Sequence, residues 1–372
     1  MNGLVLCTQE CNLRCTYCFE ESMHAGCMPT IDELRANFEK FIDDGLEKFV
    51  VELIQINEEM GRVETDITFH GGEPMLIGAT LLRKAFKVVK KYDNTTISMQ
   101  SNGTLITDEL VELFKEYKVK VGISIDGPKE MHDAYRLNKG KKGSFDLVYG
   151  NIKKLKAAGV IVGGLATVTD QTIKDPEKFY YFFKDNKIDY SFNPLFIDPN
   201  KPSDCNSLNV NDYIEFYKKM FDLWINDNDG YQSIQCFERI MSAMGVKRTI
   251  YMEVCTYIPD CSKTTVAIDT NGDFYRCLHY CMDKKHRIGN IKENSLQLAV
   301  GDEQFSRRFD YLKETLCRDC DIQDYCCGGC PYVAESNNGT IMSKSSTCQS
   351  QYAIVHYIYD YMQRFVKQSE EA

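Results

Sequence analysis

Three thiols stand close to the start of this chain. Cys11, Cys15 and Cys18, in "LCTQECNLRCTYCFEE", are spaced C-x3-C-x2-C and offer three soft ligands from one loop. A closed zinc site takes four protein ligands, and no fourth cysteine is obviously in register. A cubane of four irons suits the count better, because three thiolates hold three irons and leave the last one open. That open iron can be chelated by the amino and carboxylate groups of a methionine moiety, much as a catalytic zinc keeps one position free. Electron transfer into the adjacent sulfonium then breaks a C–S bond and leaves a carbon radical.

Composition limits the classes that could use such a loop. The 372 residues are 43% hydrophobic and 26% charged, enough for two domains with real cores. The formal net charge of −10 argues against a general nucleic-acid binder and leaves a peptide partner open. No apolar run approaches a membrane span, and "MNGLVLCTQE" lacks the marks of a signal peptide. A cytoplasmic protein is expected, with no membrane partner. Its 17 cysteines then point to metal binding or catalysis rather than disulfides. Six histidines are too few for an imidazole-rich centre, so thiolates must carry most of any metal binding.

The elements that position the thiols follow from periodicity. Strand-like runs fall at Leu4–Cys7, Asp66–His70, Thr96–Gln100, Lys120–Ile125, Ile161–Thr167 and Asp189–Asn193. Helix-like stretches lie between them. "TIDELRANFEKFI" opens with a Thr30/Glu33 capping box, and "FDLVYGNIKKLKAAG" stops at Gly159. Alternating strands and helices imply parallel strands with right-handed crossovers. The expected α/β fold is a partial (β/α)6 TIM-type barrel, with a doubly wound sheet as the rival. Chemistry then belongs at the C-terminal ends of strands, where "HGGEP", "SNGT" and "SIDGP" stand. After residue 250 the alternation is lost and cysteines crowd the chain. "TTVAIDTNGDFYRC" reads as a hairpin around Asn271-Gly272, and a last helix runs roughly Gln351–Phe365. The expected division is 1–233 for the barrel and 234–372 for a connecting helix and a cysteine-rich domain.

The C-x3-C-x2-C loop after the first strand, with "GGEP" after the second, resembles the radical S-adenosylmethionine (SAM) superfamily. By that resemblance Gly71, Gly72 and Glu73 hold the SAM amino group. Asn102, Ser124 and Asp126 lie around its ribose and methionine, Arg136 pairs with its carboxylate, and Leu195 contacts its adenine. The later cysteines resemble the SPASM extension, which carries two auxiliary 4Fe–4S clusters. One would use Cys255, Cys261, Cys277 and Cys330, the other Cys317, Cys320, Cys326 and Cys348. The resemblance thus implies three 4Fe–4S clusters and SAM as cofactors. Cys7, Cys27, Cys205, Cys236, Cys281 and Cys327 are left, read mainly as small buried hydrophobes.

SPASM proteins similar to this one modify peptides or proteins, with a reducing partner such as flavodoxin or ferredoxin. Two branches compete. Anaerobic sulfatase-maturating enzymes oxidise cysteine or serine to formylglycine, and this chain resembles them over nearly its whole length. Peptide maturases of ribosomal natural products form thioether or C–C crosslinks. The sulfatase branch has an aspartate after the third extension cysteine, where this chain has Leu278. It also has tyrosine at Glu20 and glutamine at His70. A leucine cannot take a proton, so crosslinking or oxidation of a different peptide is the first expectation and formylglycine formation the alternative. Glu20, His70 and His279 are the candidate replacement bases. Only ten residues precede Cys11, which leaves no room for a winged-helix leader-binding domain. A zinc-stabilised binding protein is the non-enzyme alternative.

Overall fold

The computed structural model describes residues 1–18, 29–195, 208–245, 261–300 and 303–371. The first half runs β1 (Asn2–Thr8), α1 (Ile31–Phe41), a π-helical turn (Ile42–Leu46), α2 (Glu47–Glu59), β2 (Thr65–Gly71), α3 (Ala79–Val89), β3 (Thr95–Ser101), α4 (Asp108–Tyr117), β4 (Lys120–Ser124), α5 (Lys129–His132), α6 (Phe145–Ala157) and β5 (Val162–Val168). The second continues with α7 (Pro176–Asp185), β6 (Tyr190–Pro194), α8 (Val210–Ile225), α9 (Gln235–Gly245), β7 (Thr265–Ile268), β8 (Asp273–Tyr275), β9 (Gly289–Asn290), α10 (Gln297–Val300), α11 (Glu303–Glu314), α12 (Pro331–Asn338) and α13 (Cys348–Glu371). Each of the six strands expected before residue 200 is present.

Packing forms two compact units. One comprises Met1–Ile125, Lys129–Leu165 and Ser262–Asp302; the other comprises Asp126–Pro128, Ala166–Cys261 and Glu303–Ala372. In the first unit the strand order is β5-β4-β3-β2-β1-β7-β8-β9. Pairing is parallel from β5 through to β7, and the β7–β8–β9 meander is antiparallel. The fold is α/β with a parallel-strand sheet.

Period-two patterning explains the register. Ile67 and Phe69 of β2 are buried and lie opposite Ile97 and Met99 of β3. Phe86 of α3 meets Phe69 edge-on, with centroids 5.1 Å apart. Burial of one such ring stabilises by about 1.5–3 kcal/mol. The other face of the same strands is polar. Asp66 accepts the hydroxyls of Thr68 (2.8 Å), Thr96 (2.7 Å) and Ser98 (2.8 Å).

The Thr30/Glu33 capping box forms: the Glu33 amide donates to Thr30 Oγ1 and the Thr30 amide to Glu33 Oε2. The helix does not stop at Ile42, as the sequence suggests. It passes through one π-helical turn and continues as α2. Gly45 lies in that turn, where a Cβ would stand 3.1 Å from Ile291 and 3.2 Å from the Phe41 ring. α2 then lies tightly on β1, since a Cβ on Gly3 would be 2.6 Å from Leu53.

The hairpin around Asn271-Gly272 is present, with Gly272 at φ +89°. Its first strand pairs in parallel with β1, Gly3 opposite Val266 and Val5 opposite Ile268. Packing therefore joins 262–302 to the N-terminal strands, whereas the sequence division at 233/234 groups it with the later cysteines.

In the second unit β6 follows the end of β5, the Leu195 amide donating to Val168 O at 2.9 Å. Phe179, Tyr190, Phe192, Phe216 and Phe237 fill an aromatic core, with Phe183 stacked on Tyr190 at 3.9 Å. α13 is tied to α8 by the Tyr357 hydroxyl, which donates to Asp222 at 2.7 Å. Among the described residues no helix is long and apolar enough to cross a membrane.

Asn57, 1% exposed on α2, fixes the starts of β1 and β2. Its Nδ2 donates to Met1 O and Thr65 Oγ1, both at 2.9 Å. Asn57→Ala leaves these buried acceptors unpaired, and urea unfolding should show a loss of about 1–3 kcal/mol.

Candidate active site and cluster ligands

The first cysteine loop begins at a strand irregularity. Leu6 pairs with His70 and Thr8 with Gly71, so Cys7 is the extra residue of a β-bulge. Cys7 is fully buried, donates to Val5 O at 3.8 Å, and burial pushes its thiol far above the usual range. That suits the expected role as a small buried hydrophobe. The bulge turns the chain towards the β2 loop, and the two loops join through their backbones. The Gly72 amide donates to Thr8 O (2.9 Å) and the Glu73 amide to Glu10 O (2.7 Å). A Cβ on Gly71, at φ +132°, would lie 2.1 Å from Thr8 O, and one on Gly72 would lie 2.2 Å from Glu10 O. Only glycine allows this approach.

Glu73 is wholly buried and reaches the β3 loop. Its Oε1 accepts from the Met75 amide (3.1 Å) and Ser101 Oγ (2.9 Å), and its Oε2 from the Asn102 amide (2.8 Å). Desolvation outweighs these bonds and raises its pKa to about 7. Asn102 Nδ2 donates to Asn12 Oδ1 (2.9 Å) and Cys11 Sγ (3.5 Å), and the Leu13 amide also donates to Cys11 Sγ (3.4 Å). Burial nevertheless pushes the Cys11 thiol up to about 11. A half-buried thiol with two N–H donors is helped to ionise by a positive partner, and a metal supplies one. Cys15 is buried and Cys18 half-buried, the Cys18 amide donating to Cys15 O at 3.0 Å. Soft donors, amides aimed at sulfur and a glycine cradle together fit an iron–sulfur cluster.

A second anchor was not evident from spacing. The Arg14 amide donates to Leu137 O (2.7 Å) and the Thr16 amide to Tyr135 O (3.0 Å), so the loop is zipped to the segment carrying Arg136. The Arg136 guanidinium lies 5.4 Å from the centroid of the Tyr17 ring. Buried His132 and Ser144 hold this segment from behind: His132 Nε2 is 2.9 Å from Ser144 Oγ, which donates to Arg136 O at 2.8 Å. Ser124, ending β4, accepts from Gln100 Nε2 at 3.1 Å. The structure thus brings Cys11, Asn102, Gly71, Gly72, Glu73 and Arg136 around one loop.

Other expected residues are placed separately. Asp126 and Leu195 belong to the second unit, where buried Asp126 accepts the Thr167 amide at 2.8 Å. His70 accepts the Gly71 amide at Nδ1 (2.7 Å), and desolvation lowers its pKa to about 4. It is a neutral ring with Nδ1 engaged and a weak affinity for protons. Leu278 is buried and His279 exposed on the short turn after Cys277, while Cys281 is buried and donates to Cys277 O at 3.7 Å. Glu20, Cys27, Cys205 and Cys255 lie outside the described residues.

The second unit holds Cys261, Cys317, Cys320, Cys326, Cys327, Cys330 and Cys348, whereas Cys277 and Cys281 belong to the first. Cys317 and Cys327 pack with Phe309 and Leu312, and Cys261 and Cys320 rest against that group. Cys326 packs with Ile322 and Val355, again beside Cys320, and its thiol donates to Gln351 Oε1 at 3.0 Å. Cys326 feels the charges of Cys348 and Cys317, and Cys348 feels those of Cys317 and Cys320. These four thiols therefore stand within electrostatic reach of one another. A hydrogen bond from Cys327 draws the Cys317 thiol below the usual range, aided by Lys344 and Arg308 and opposed by burial. Cys330 caps α12. Cys327 takes φ +43° and is followed by Gly328 at +79° and Gly329 at +72°, a left-handed run that folds the "CCGGC" loop tightly.

Comparison with known proteins defines the class. Residues 5–183 match the radical SAM superfamily and residues 255–321 match the SPASM iron–sulfur cluster-binding domain. The chain is therefore a radical SAM enzyme with a SPASM extension, and iron–sulfur clusters and SAM are its cofactors. The cysteine-type anaerobic sulfatase-maturating enzyme of Clostridium novyi (strain NT) is 33% identical over 350 residues, 90% of this chain and 88% of that protein. The serine-type enzyme of Bacteroides thetaiotaomicron is 32% identical over 352 residues, covering 86% and 80%. The solved structure of native anSMEcpe with bound AdoMet and Cp18Cys peptide superposes with a TM-score of 0.79 at 26% identity, over 99% of both chains. The chain belongs to the family of SPASM-type radical SAM maturases that includes the anaerobic sulfatase-maturating enzymes. The zinc-stabilised binding protein is thereby set aside.

The Glu73 carboxyl gives a pH test with a definite sign. A folded-state pKa raised from 4.5 to about 7 means that the native state holds a proton the unfolded state releases. Its contribution is complete below pH 4.5 and is lost as pH rises to about 7, a change on the order of 3 kcal/mol. Urea midpoints of the cofactor-free chain should fall over that window, and Glu73→Gln should flatten the fall.

Proposed function

We propose that the enzyme oxidises a cysteine or serine side chain of a protein or peptide to formylglycine. The observation that carries this reading is end-to-end likeness to a cysteine-type anaerobic sulfatase-maturating enzyme, 33% identical over 88% of that protein. It reverses the order of the sequence reading, which places crosslinking first. A peptide or protein substrate, a cytoplasmic setting and a flavodoxin- or ferredoxin-like reductant belong to the same proposal. The proposed division is 1–233 for the radical SAM partial barrel and 234–372 for the connecting helix and the SPASM auxiliary-cluster domain.

Cys11, Cys15 and Cys18 would hold the SAM-binding cluster. Cys255, Cys261, Cys277 and Cys330 would hold one auxiliary cluster, and Cys317, Cys320, Cys326 and Cys348 the other. When bound and reduced by one electron, SAM supplies a 5′-deoxyadenosyl radical able to take hydrogen from a substrate carbon. The chain's own residues bind and orient. Carbonyls of the Gly71–Gly72 loop and the Glu73 carboxylate suit the SAM ammonium, whose charge favours the ionised form of Glu73. Arg136, backed by Ser144 and His132, suits a carboxylate. Asn102, Ser124, Asp126 and Leu195 complete the proposed nucleotide contacts.

Oxidation also requires a group to take the substrate's side-chain proton. Leu278 cannot, and this favours crosslinking as the second reading. His70 offers Nε2 only, and its low pKa makes it a reluctant acceptor. His279, exposed one residue beyond Leu278, and Glu20 are the other bases proposed.

The test uses the anaerobically reconstituted full-length enzyme, SAM, dithionite and a cysteine-containing sulfatase-type peptide. The expected product carries an aldehyde that a hydrazide captures. Leu278→Asp should raise its yield by about a hundredfold, at the low end of general-base effects. Loss of hydrogen with no aldehyde and a thiol that resists alkylation would reject formylglycine formation in favour of a thioether.

A further inference from the structure

Arg308 on α11 is wholly buried in the second unit. Its guanidinium donates to a ring of backbone carbonyls: Nε to Ile341 (2.5 Å), Nη1 to Cys327 (3.4 Å), and Nη2 to Gly328 (3.3 Å) and Ser343 (3.2 Å). A guanidinium keeps its charge when buried, and carbonyl dipoles offset its desolvation only in part. The guanidinium also lies close to a thiol proposed as a cluster ligand. A Cβ on Gly328 would lie 3.5 Å from Arg308 Nη2 and 3.8 Å from Cys317 Sγ, so the cation and the thiol flank the same glycine. The loop 341–345 closes over this point. Ser343 O binds Arg308, and the Ser345 amide donates to Gly328 O at 2.8 Å. Lys344, between them, is thereby held on the same loop.

We infer that Arg308, with Lys344 beside it, positions the "CCGGC" loop and raises the reduction potential of the cluster held by Cys317, Cys320, Cys326 and Cys348. This rests on the ligand assignment proposed above. A cluster with four thiolates is a net anion, and it gains one more negative charge when it takes one electron, with no bond made and no proton moved. A fixed positive charge in a water-poor interior stabilises the reduced form more than the oxidised one. Positive charge held at this loop therefore makes the cluster easier to reduce than it would be without it.

The test is a mediated dithionite titration of the anaerobically reconstituted full-length enzyme, followed by electron paramagnetic resonance. The signal that disappears in Cys320→Ser marks this cluster. Arg308→Gln should shift its oxidised-to-reduced ratio at a given potential at least tenfold, about 59 mV more negative for one electron. Arg308→Lys, which keeps the charge, should stay near the unaltered enzyme. An unshifted potential in Arg308→Gln overturns the inference. Should that variant fail to keep the cluster, Lys344→Gln decides: a smaller shift in the same direction supports the inference, and none overturns it. If Cys320→Ser removes no signal, the ligand assignment fails and the inference with it.

Discussion

Two backbone hydrogen bonds hold the candidate site together, from the Gly72 amide to Thr8 O and from the Glu73 amide to Glu10 O. They join the loop after β1 to the loop after β2 without any side chain. Each contributes only about 0.5–1.5 kcal/mol net, so their importance is geometric. The carbonyls of Thr8 and Glu10 occupy the space that side chains at 71 and 72 would need. Because the strands end where these loops meet, the position of the thiols is set by the sheet itself. Glu73 extends the same frame to β3 through Ser101 and Asn102.

The cysteine loop has a second attachment, through Arg14 and Thr16 to the carbonyls of Leu137 and Tyr135. Arg136 lies between these two carbonyls in sequence, so the basic side chain and the thiols move as one piece. Tyr17, just before Cys18, faces the guanidinium of Arg136. A loop of mostly polar residues and cysteines thus gains rigidity from both sides, although it has no helix or strand of its own. A reactive constellation requires this kind of support, since an error of about 1 Å in placement can cost 10²-fold in rate.

Much of this was legible in the sequence because the signals were local. Alternation of apolar and polar residues marked β2 and β3, the Thr30/Glu33 pair marked the start of α1, and Asn271-Gly272 marked the hairpin. What was hidden depends on contacts between distant residues. The π-helical turn that carries the helix past Ile42 places Gly45 where a Cβ would press on Phe41 and on Ile291, far along the sequence. The contact of Tyr135 and Leu137 with the cysteine loop leaves no periodic trace. Arg308 is one of two adjacent arginines in "FSRRFD", and only its fully buried position distinguishes it from exposed Arg307. The order of functions also turned on scale. Three positions, Leu278, Glu20 and His70, pointed away from formylglycine, while similarity along the whole chain pointed towards it.

The parallel pairing of β1 with β7 has a consequence for biogenesis. On the ribosome, β1 emerges first, and its partner on one side, Thr265–Ile268, is made more than 250 residues later. Until then β1 presents an open edge, of the kind that invites pairing with the wrong strand. The loop destined for iron therefore matures on a sheet that stays unfinished until Thr265–Ile268 has been made, and that strand acts as its closing clasp.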